Sequence, residues 1–359
     1  MIRSINMIFS NPGNLIRNGY SAFTRWRNYS NSRKQAKNFR DAVIKENGGS
    51  RVTSDMITSM KSEMKERFGD DGHWPWIALY AELRGEYIPG WLPDDHYAFQ
   101  FLPSINRDPG AVLSTVKTYD HRLFQGFAIE PLALRISGSW FLGDMRKIEN
   151  EDPLRYIRNL GREIVIKRDK APSGKGILFK HSNEVTDNDF KPGYDYLVQP
   201  SVRQHTSLAE LHRESVSTLR ITTYLMPDGA IEVKHRTIRF GVSKDRVVNS
   251  SGLFVFLNDD GHVVSNARDD LGLDRGSEHP DTKYPYKNLI VPSMSIAIQH
   301  CKEAHLTFPY IRFIAWDLYI DETGQPKMIE WNARRPDMWV NEALIGPLWG
   351  DEFDSLAAG

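Results

Sequence analysis

The sequence predicts an α+β fold that is rich in antiparallel hairpins and is preceded by a mainly helical amino-terminal region. Residues 54–68, SDMITSMKSEMKERF, place apolar side chains at helical intervals, and a Pro- and Gly-rich breaker, GEYIPGWLPDD, comes later. From about residue 111 short apolar runs alternate with turn sequences. We therefore expect a helical region over residues 1–110, a hairpin-rich domain over residues 111–350 and a tail over residues 351–359.

The hairpin-rich domain can be assigned element by element from alternating apolar residues and turn residues. EIVIK predicts a short buried strand, and ILFK predicts its neighbour. Three further pairs of strands flank the turn sequences PDG, DDG and DETG, and one segment between them has helical spacing. The three strand pairs are TLRITTYL with AIEVKHRTIRF, LFVFLN with HVVSN, and RFIAWDLYI with PKMIEW; the helical segment is VPSMSIAIQHCKEAHLTF.

The composition narrows the class of protein. Of 359 residues, 40% are hydrophobic and 26% are charged, which suffices for one large or two ordinary cores. Lys+Arg and Asp+Glu both count 46, so net charge gives no reason to expect a nucleic-acid partner. The single cysteine, Cys301, cannot form an internal disulfide and is expected to be a small core residue. Because the sequence shows neither a spanning apolar run nor a secretion signal, we expect a cytoplasmic protein.

The basic arm, residues 1–40, carries the one local charge signal. It contains no Asp or Glu, and its basic residues are interleaved with apolar ones such as Phe9 and Trp26. This pattern fits peripheral contact with an anionic membrane. It fits packing within the molecule or within an oligomer equally well. The eight basic residues are Arg3, Arg17, Arg25, Arg27, Arg33, Lys34, Lys37 and Arg40.

The DETG hairpin predicts a cation site. If the turn spans residues 321–326, Ile320 pairs with Lys327, and Asp317 then lies directly opposite Glu330. Alternation along the strand places Asn332 on the same face. Two carboxylates that face each other repel unless a hard cation lies between them, and oxygen ligands favour Mg²⁺ or Mn²⁺. The alternative is an exposed sheet face with two unrelated acids.

A second candidate site follows the strand that ends on Lys167. The next loop contains Ser173, Gly174, Lys175 and Gly176. A lysine at a strand end beside glycine-bearing backbone suits a phosphate, because glycine lets main-chain N–H groups approach an anion closely. The same residues are also common in ordinary surface turns, and the loop lacks the P-loop spacing.

Three arginines in the PDG hairpin are candidate anion ligands. Arg220 lies within an apolar strand, and a turn closed between Met226 and Ala230 would place it opposite Arg236. Two facing guanidinium groups call for an anion, which a substrate could supply. Ordinary salt bridges to acids elsewhere in the chain would satisfy them equally. Arg239 shares the face of Arg236 only if the strand bulges or twists.

The order of these motifs resembles the ATP-grasp superfamily, and more narrowly the sugar-transfer-associated ATP-grasp family, over roughly residues 111–350. The most specific pieces are QH (Gln204, His205), SVSTLRITT, RFG, HP (His279, Pro280) and AWDLYIDETGQPKMIEWN. The resemblance implies an ATP-grasp fold of two lobes whose hinge, residues 197–202, borders adenine. Gln199 and Val202 are thereby implied as cofactor contacts.

The resemblance also implies roles at the phosphates of ATP. It implies that Asp317, Glu330 and Asn332 hold Mg²⁺ or Mn²⁺ there, that Lys167 contacts phosphate, and that Arg220 lies at the reacting phosphate. The implied activity is that of a carboxylate–amine ligase, in which ATP converts an acid to an acyl phosphate that an amine then attacks.

The expected substrates are a small-molecule acid and an amine. Arg334 and Arg335 follow the last metal ligand, where guanidinium groups could dock a carboxylate, and Asp337 could receive the ammonium group. The resemblance favours a sugar acid, an amino acid or a nucleotide sugar, because the family is associated with surface polysaccharide assembly. A phosphotransferase with the same ATP site and a nucleotide-binding scaffold without chemistry are the alternatives.

Overall fold

The structure is a computed structural model that describes residues 12–149, 152–171, 176–244, 246–248 and 252–350. Side chains of the first helix are described at position 24 and from position 26 onward. Part of the basic arm, the loop residues Ser173, Gly174 and Lys175, and the tail over residues 351–359 therefore lie outside the described residues.

The longest helix of the described residues lies at the amino-terminal end, and most of the others are short. The α-helices are α1 (Pro12–Glu46), α2 (Ser54–Phe68), α3 (Trp74–Arg84), α4 (Asp94–His96), α5 (Leu102–Ile105), α6 (Asp120–Leu123), α7 (Pro153–Arg158), α8 (Thr206–Ala209), α9 (Met294–His305) and α10 (Trp339–Ile345). A π-helical turn spans Tyr97–Phe101, and 3₁₀ turns span Asp71–His73, Pro109–Thr115, Lys117–Tyr119, Ser182–Glu184, Asp187–Asp189 and Tyr286–Asn288.

The described strands form two five-stranded sheets, and every strand pair within them is antiparallel. The first sheet has the order β2-β1-β5-β3-β4, and the second has the order β10-β9-β6-β7-β8. The strands are β1 (Ala133–Ile136), β2 (Ser139–Leu142), β3 (Glu163–Arg168), β4 (Ile177–His181), β5 (Tyr196–Pro200), β6 (Thr218–Leu225), β7 (Ile231–Phe240), β8 (Leu253–Phe256), β9 (Phe313–Ile320) and β10 (Pro326–Asn332).

The chain divides into two compact units. One contains residues 1–103 together with residues 338–359, and the other contains residues 104–337. The first boundary falls close to the expected one at residue 110. The stretch from residue 338 to residue 350, which the sequence analysis assigned to the hairpin-rich domain, groups with the helical unit instead.

The helical unit is built on α1, α2, α3 and α10. Helix α2 covers the segment with helical spacing; the side chain of Thr53 caps its amino end, and Gly69, at φ 71°, ends it. The ring of Trp339 in α10 packs against the rings of Trp76 and Phe39. The residue at position 82 of α3 is a fully buried glutamate, which is paired with Arg40. Helix α3 is buried from Pro75 to Leu83, so it forms the centre of this unit.

The second unit contains both sheets, each covered on one face by apolar residues. In the first sheet Ile164, Ile166 and Val198 pack against Ile157 of α7. In the second sheet Trp316 and its neighbours pack in a larger core with α9 residues, among them Cys301, Ala297 and Ala304. Because side chains alternate along a strand, the opposite face of each sheet presents the intervening residues.

The expected α+β fold with a helical amino-terminal region is confirmed, and Cys301 lies in the core as expected. One predicted hairpin is shorter than expected: HVVSN forms two isolated bridges, Val263 with Leu257 and His262 with Ile290, rather than a strand. Within the described residues, no helix combines the length and the apolar character that crossing a bilayer requires.

Candidate functional site

The site starts from the hairpin of β9 and β10. Asp317 lies opposite Glu330, and Asn332 lies opposite Ala315, as the sequence analysis predicted. The predicted first pair was wrong, because Ile320 pairs with Pro326 and not with Lys327. A bulge at residue 329 absorbs the extra residue and restores the predicted register at the acids.

Asp317 is held from two sides. Arg220, in the neighbouring strand β6, donates from Nε to Oδ1 and from Nη2 to Oδ2, both at 2.7 Å. Asn332 donates from Nδ2 to Oδ2 at 3.2 Å. Burial raises the pKa of the Asp317 carboxyl, and the two-point contact with Arg220 opposes this. The anion that Arg220 was expected to need is therefore supplied within the sheet.

Glu330 is paired with a residue that the sequence analysis missed. Lys117 Nζ lies 3.0 Å from Glu330 Oε2, and the lysine belongs to the 3₁₀ turn Lys117–Tyr119. Burial alone would raise the pKa of Glu330, but Lys117, Arg220 and Lys167 outweigh it and hold the pKa below its ordinary value. No local sequence pattern marks Lys117, because its partners lie far along the chain.

Lys167 lies on the face of the first sheet opposite the side chains of Ile164 and Ile166. It is 9% exposed, and no hydrogen-bond or ion-pair partner reaches its ammonium group from the described part of the chain. Burial lowers the pKa of Lys167 to about 8; Lys117 adds to this effect, and Glu330 opposes it. A buried cation without a direct partner is a candidate ligand for an anion.

Asp120 completes the charged cluster. It follows the Lys117 turn and accepts a hydrogen bond from Trp331 Nε1 at 3.0 Å. Burial raises the pKa of this carboxyl to about 8, although Lys117 lowers it. The side of the cluster next to Trp331 therefore carries less negative charge than the sequence suggests.

A narrow cleft lies beside the cluster. Gln199 of β5 donates from Nε2 to the carbonyl oxygen of Ile129 at 2.8 Å and lines this cleft. Val202, just after β5, is half-buried and lies outside the described lining. The cleft is lined by Lys117, Asp120, His121, Ala128, Ile129, Leu197, Gln199, Met328 and Ile329.

The register of β6 and β7 corrects the prediction for Arg236. A bulge after Thr222 shifts the pairing, so that Arg220 lies opposite Thr237 and Ile221 lies opposite Arg236. Arg236 therefore points to the other face of the sheet, where it pairs with Asp259. The predicted pair of facing arginines was wrong.

Arg239, by contrast, lies on the face that carries Arg220, because it is two residues beyond Thr237. It pairs with Asp270, and its guanidinium carbon lies 5.3 Å from the centre of the Phe254 ring. It therefore does not share the face of Arg236.

The remaining predicted residues lie at strand ends. Gly176, at φ 86°, precedes β4, and its carbonyl oxygen accepts from the N–H of Arg168 at 2.9 Å. Arg334, Arg335 and Asp337 are exposed beyond β10, and Asp337 contributes electrostatically to raising the pKa of Arg220. Their substrate roles stay predictions.

The other motifs singled out in the sequence form a buried polar network. Gln204 donates to the carbonyl oxygen of His212 and accepts from the N–H of Ser217, which directly precedes β6. His279 Nε2 donates to the carbonyl oxygen of Gly241, directly after β7. QH, RFG and HP thus fix the two strand ends next to Arg220 and Arg239.

The donor set fits a hard divalent cation. Asp317, Glu330 and Asn332 offer carboxylate and amide oxygens from two adjacent strands, on one face of the sheet. Such oxygen ligands are those that Mg²⁺ or Mn²⁺ prefers. The described residues contain no cluster of three His, Cys, Asp or Glu, so the amide of Asn332 would be needed to complete a three-ligand set.

The two antiparallel sheets, with a charged cluster beside a cleft, agree with the ATP-grasp fold that the sequence predicts. More narrowly, the sequence profile of the sugar-transfer associated ATP-grasp family matches residues 117–346, which is more than half of the chain. The chain therefore belongs to this family. Comparison with curated proteins gives no significant match.

Solved structures give only distant likenesses. D-cycloserine synthetase DcsG is 15% identical, with a TM-score of 0.37, over 67% of this chain and 70% of that chain. ATP-grasp ligase PsnB, complexed with a minimal precursor, is 11% identical, with a TM-score of 0.40, over 70% and 62%. N5-carboxyaminoimidazole ribonucleotide synthetase from Thermotoga maritima is 9% identical, with a TM-score of 0.35, over 66% and 44%. This chain spans less than two thirds of the last two proteins, and the low scores carry no argument about function.

Proposed function

We propose that the protein is an ATP-dependent carboxylate–amine ligase that works through an acyl phosphate. The observation that carries this proposal is the charged cluster: two cross-strand carboxylates and an amide lie beside the cations Arg220, Lys117 and Lys167. Such a set of groups suits phosphoryl transfer, because charge on the transferring group must be neutralised from several directions.

Asp317, Glu330 and Asn332 would hold Mg²⁺ or Mn²⁺, which neutralises charge on the phosphates when it is bound. Arg220 and Lys117 are held by Asp317 and Glu330. If a metal ion were bound by the two carboxylates, Arg220 and Lys117 could therefore pair with phosphate oxygens instead. Lys167, buried and without a direct partner among the described residues, contributes the third positive charge.

The reaction then follows in two balanced steps. A carboxylate oxygen of the acid attacks the γ-phosphorus of ATP, and ADP leaves. The amine attacks the acyl carbon of the acyl phosphate, phosphate leaves, and the amine loses its proton. Arg334 and Arg335 would dock the acid, and Asp337 would receive the ammonium form of the amine. Arg239, on the face of Arg220, is a further anion contact; Arg236 is on the other face.

The substrate class that we propose is a sugar acid or an amino acid. Support for the sugar acid comes from membership of the sugar-transfer associated family. Support for an acid in general comes from Arg334 and Arg335, two exposed arginines just beyond β10, the strand that carries two of the proposed metal ligands. The proposed site of action is the cytoplasm, where ATP is available.

The experiment is a screen of uronic acids, amino acids and nucleotide sugars for ADP release in the presence of hydroxylamine. An acyl phosphate gives ADP, phosphate and a hydroxamate, even without the natural amine. Glu330→Ala should abolish the signal. Glu322→Ala is the matched control, because this acid lies in the turn of the same hairpin and is largely exposed.

Four results would contradict the proposal, one of them only in its site assignment. AMP with pyrophosphate would indicate adenylation, and a stable phosphorylated alcohol would indicate a phosphotransferase. Activity unchanged in Glu330→Ala would remove the site assignment. Nucleotide binding without turnover of any acid would favour a scaffold.

A further inference from the structure

The position of Lys117 depends on contacts from outside its own turn. The 3₁₀ turn Lys117–Tyr119 is only three residues long and belongs to neither sheet. So short a turn makes few hydrogen bonds of its own, and its neighbours must fix it. The ammonium group of Lys117 nevertheless lies 3.0 Å from Glu330, in the second sheet.

Asp169 supplies those contacts. It directly follows β3, two residues after Lys167, and it is 5% exposed. Its Oδ1 accepts from the main-chain N–H of Lys117 at 2.7 Å, and its Oδ2 accepts from Thr118 Oγ1 at 3.1 Å. Oδ1 also accepts from the N–H of Lys170 at 3.0 Å. One buried carboxylate therefore joins the Lys117 turn to the strand that carries Lys167.

The carboxylate is itself fixed in place. The main-chain N–H of Asp169 donates to the carbonyl oxygen of Asp195 at 2.8 Å, next to the start of β5. Lys117 is thus attached through its main chain to the first sheet and through its ammonium group to the second. Burying a carboxylate costs free energy, and hydrogen bonds to charged groups offset that cost most effectively.

We propose that Asp169 is a positioning residue: it fixes the main chain of Lys117 so that the ammonium group of Lys117 can contact the nucleotide phosphates. This inference rests on the proposed ATP site and assigns Asp169 no contact with ATP or metal. Asp169 acts through Lys117, so its effect on nucleotide binding must disappear when the ammonium group of Lys117 is absent. A residue that only supports the fold has no such dependence.

The test measures the dissociation constant of Mg–ADP by isothermal titration calorimetry, with the melting temperature as a second readout. The variants are Asp169→Ala, Lys117→Met and the double variant. Asp321→Ala is the matched control, because Asp321 also accepts two main-chain N–H groups and one threonine hydroxyl. Asp321 and its partners lie in the turn between β9 and β10, and none of them is a proposed metal ligand.

We expect Asp169→Ala to weaken Mg–ADP binding by about tenfold or more, as loss of hydrogen bonds to a charged group implies. Asp321→Ala should lower the melting temperature and change the binding by less than about twofold. In the Lys117→Met background, Asp169→Ala should add less than about twofold. Asp169→Asn, which keeps an acceptor oxygen, should recover part of the affinity.

Unchanged affinity in Asp169→Ala would overturn the inference. An undiminished effect in the Lys117→Met background would also overturn it, because Asp169 would then act on the fold alone. If Asp169→Ala does not fold, Thr118→Val and Asp169→Asn replace it and are each combined with Lys117→Met in the same way. Failure of the wild-type protein to bind Mg–ADP would instead overturn the proposed function, and this inference with it.

Discussion

Replacing Lys167 by methionine should stabilise the protein while weakening the proposed nucleotide site. Burial lowers the pKa of Lys167 from its ordinary value of 10.5 to about 8. At about 1.4 kcal/mol per pH unit, this difference corresponds to about 3 kcal/mol spent on keeping the ammonium group charged in the fold. Lys167→Met keeps the length and apolar character of the side chain and removes the charge.

The pH dependence has a defined sign. Between about pH 8 and pH 10.5 the unfolded chain binds more protons at residue 167 than the folded chain does, so wild-type stability from this residue rises with pH. The gain in Lys167→Met should therefore be about 3 kcal/mol at pH 7 and should shrink as the pH approaches 10.5. Urea unfolding at several pH values measures it.

The control is Lys180→Met on the neighbouring strand, because Lys180 Nζ is paired with Asp189 at 2.8 Å. Removal of that paired lysine should be neutral or destabilising. A Lys167→Met variant no more stable than the wild type at pH 7 would refute the reasoning. So would a gain that persists unchanged at pH 10.5, since the charge would then not be its cause.

Three further predictions concern the rest of the molecule. Arg220→Ala leaves Asp317 buried without its guanidinium partner and should cost about 3–5 kcal/mol of unfolding free energy. The double variant Arg220→Ala/Asp317→Ala should cost less, and urea unfolding that shows no recovery would contradict this. A Cβ on Gly241 would clash with Ser215 Oγ, so Gly241→Ala should cost about 1–3 kcal/mol. Adding Ser215→Ala should restore part of this, and a melting temperature that does not recover would refute the packing argument. Membrane contact through the basic arm stays a prediction: deletion of the arm should abolish co-sedimentation with anionic vesicles, and equal binding to neutral vesicles would remove it.

The sequence predicted much of the fold because hairpins are local. DETG and PDG mark turns whose flanking strands are adjacent in the chain, and alternation then places Asp317, Glu330 and Asn332 on one face. The register of the paired strands was harder to predict from the sequence. Both hairpins contain a bulge, and a bulge adds one residue without a distinctive residue type.

The two bulges affected the predictions in opposite ways. In the DETG hairpin an error at the turn and the bulge at residue 329 cancel, so the acids were paired correctly from a partly wrong count. In the PDG hairpin the turn was correct, and the bulge after Thr222 moved Arg236 to the other face. Counting from a turn is therefore dependable only up to the first irregularity in the ladder.

The sequence could not identify Lys117 as a site residue, because its contacts are not local. Its role depends on Asp169 and Glu330, which belong to different sheets and are distant from it in the chain. Its own turn carries no pattern beyond a basic residue before an aromatic one. Only the tertiary structure brings these groups together.

Pairing within the cluster explains how the fold tolerates so many buried charges. Unpaired, Asp317 and Glu330 would repel each other across the ladder, but Arg220 and Lys117 each neutralise one of them. Under the proposed function, the carboxylates of Asp317 and Glu330 would hold a metal ion, and Arg220 and Lys117 would pair with phosphates. Each of these four charged groups would then have an opposite-charge partner both before and after binding. Lys167 is outside this exchange: it has no direct partner among the described residues, Glu330 and Asp120 offset only part of the cost of its burial, and an anion in the site would offset more.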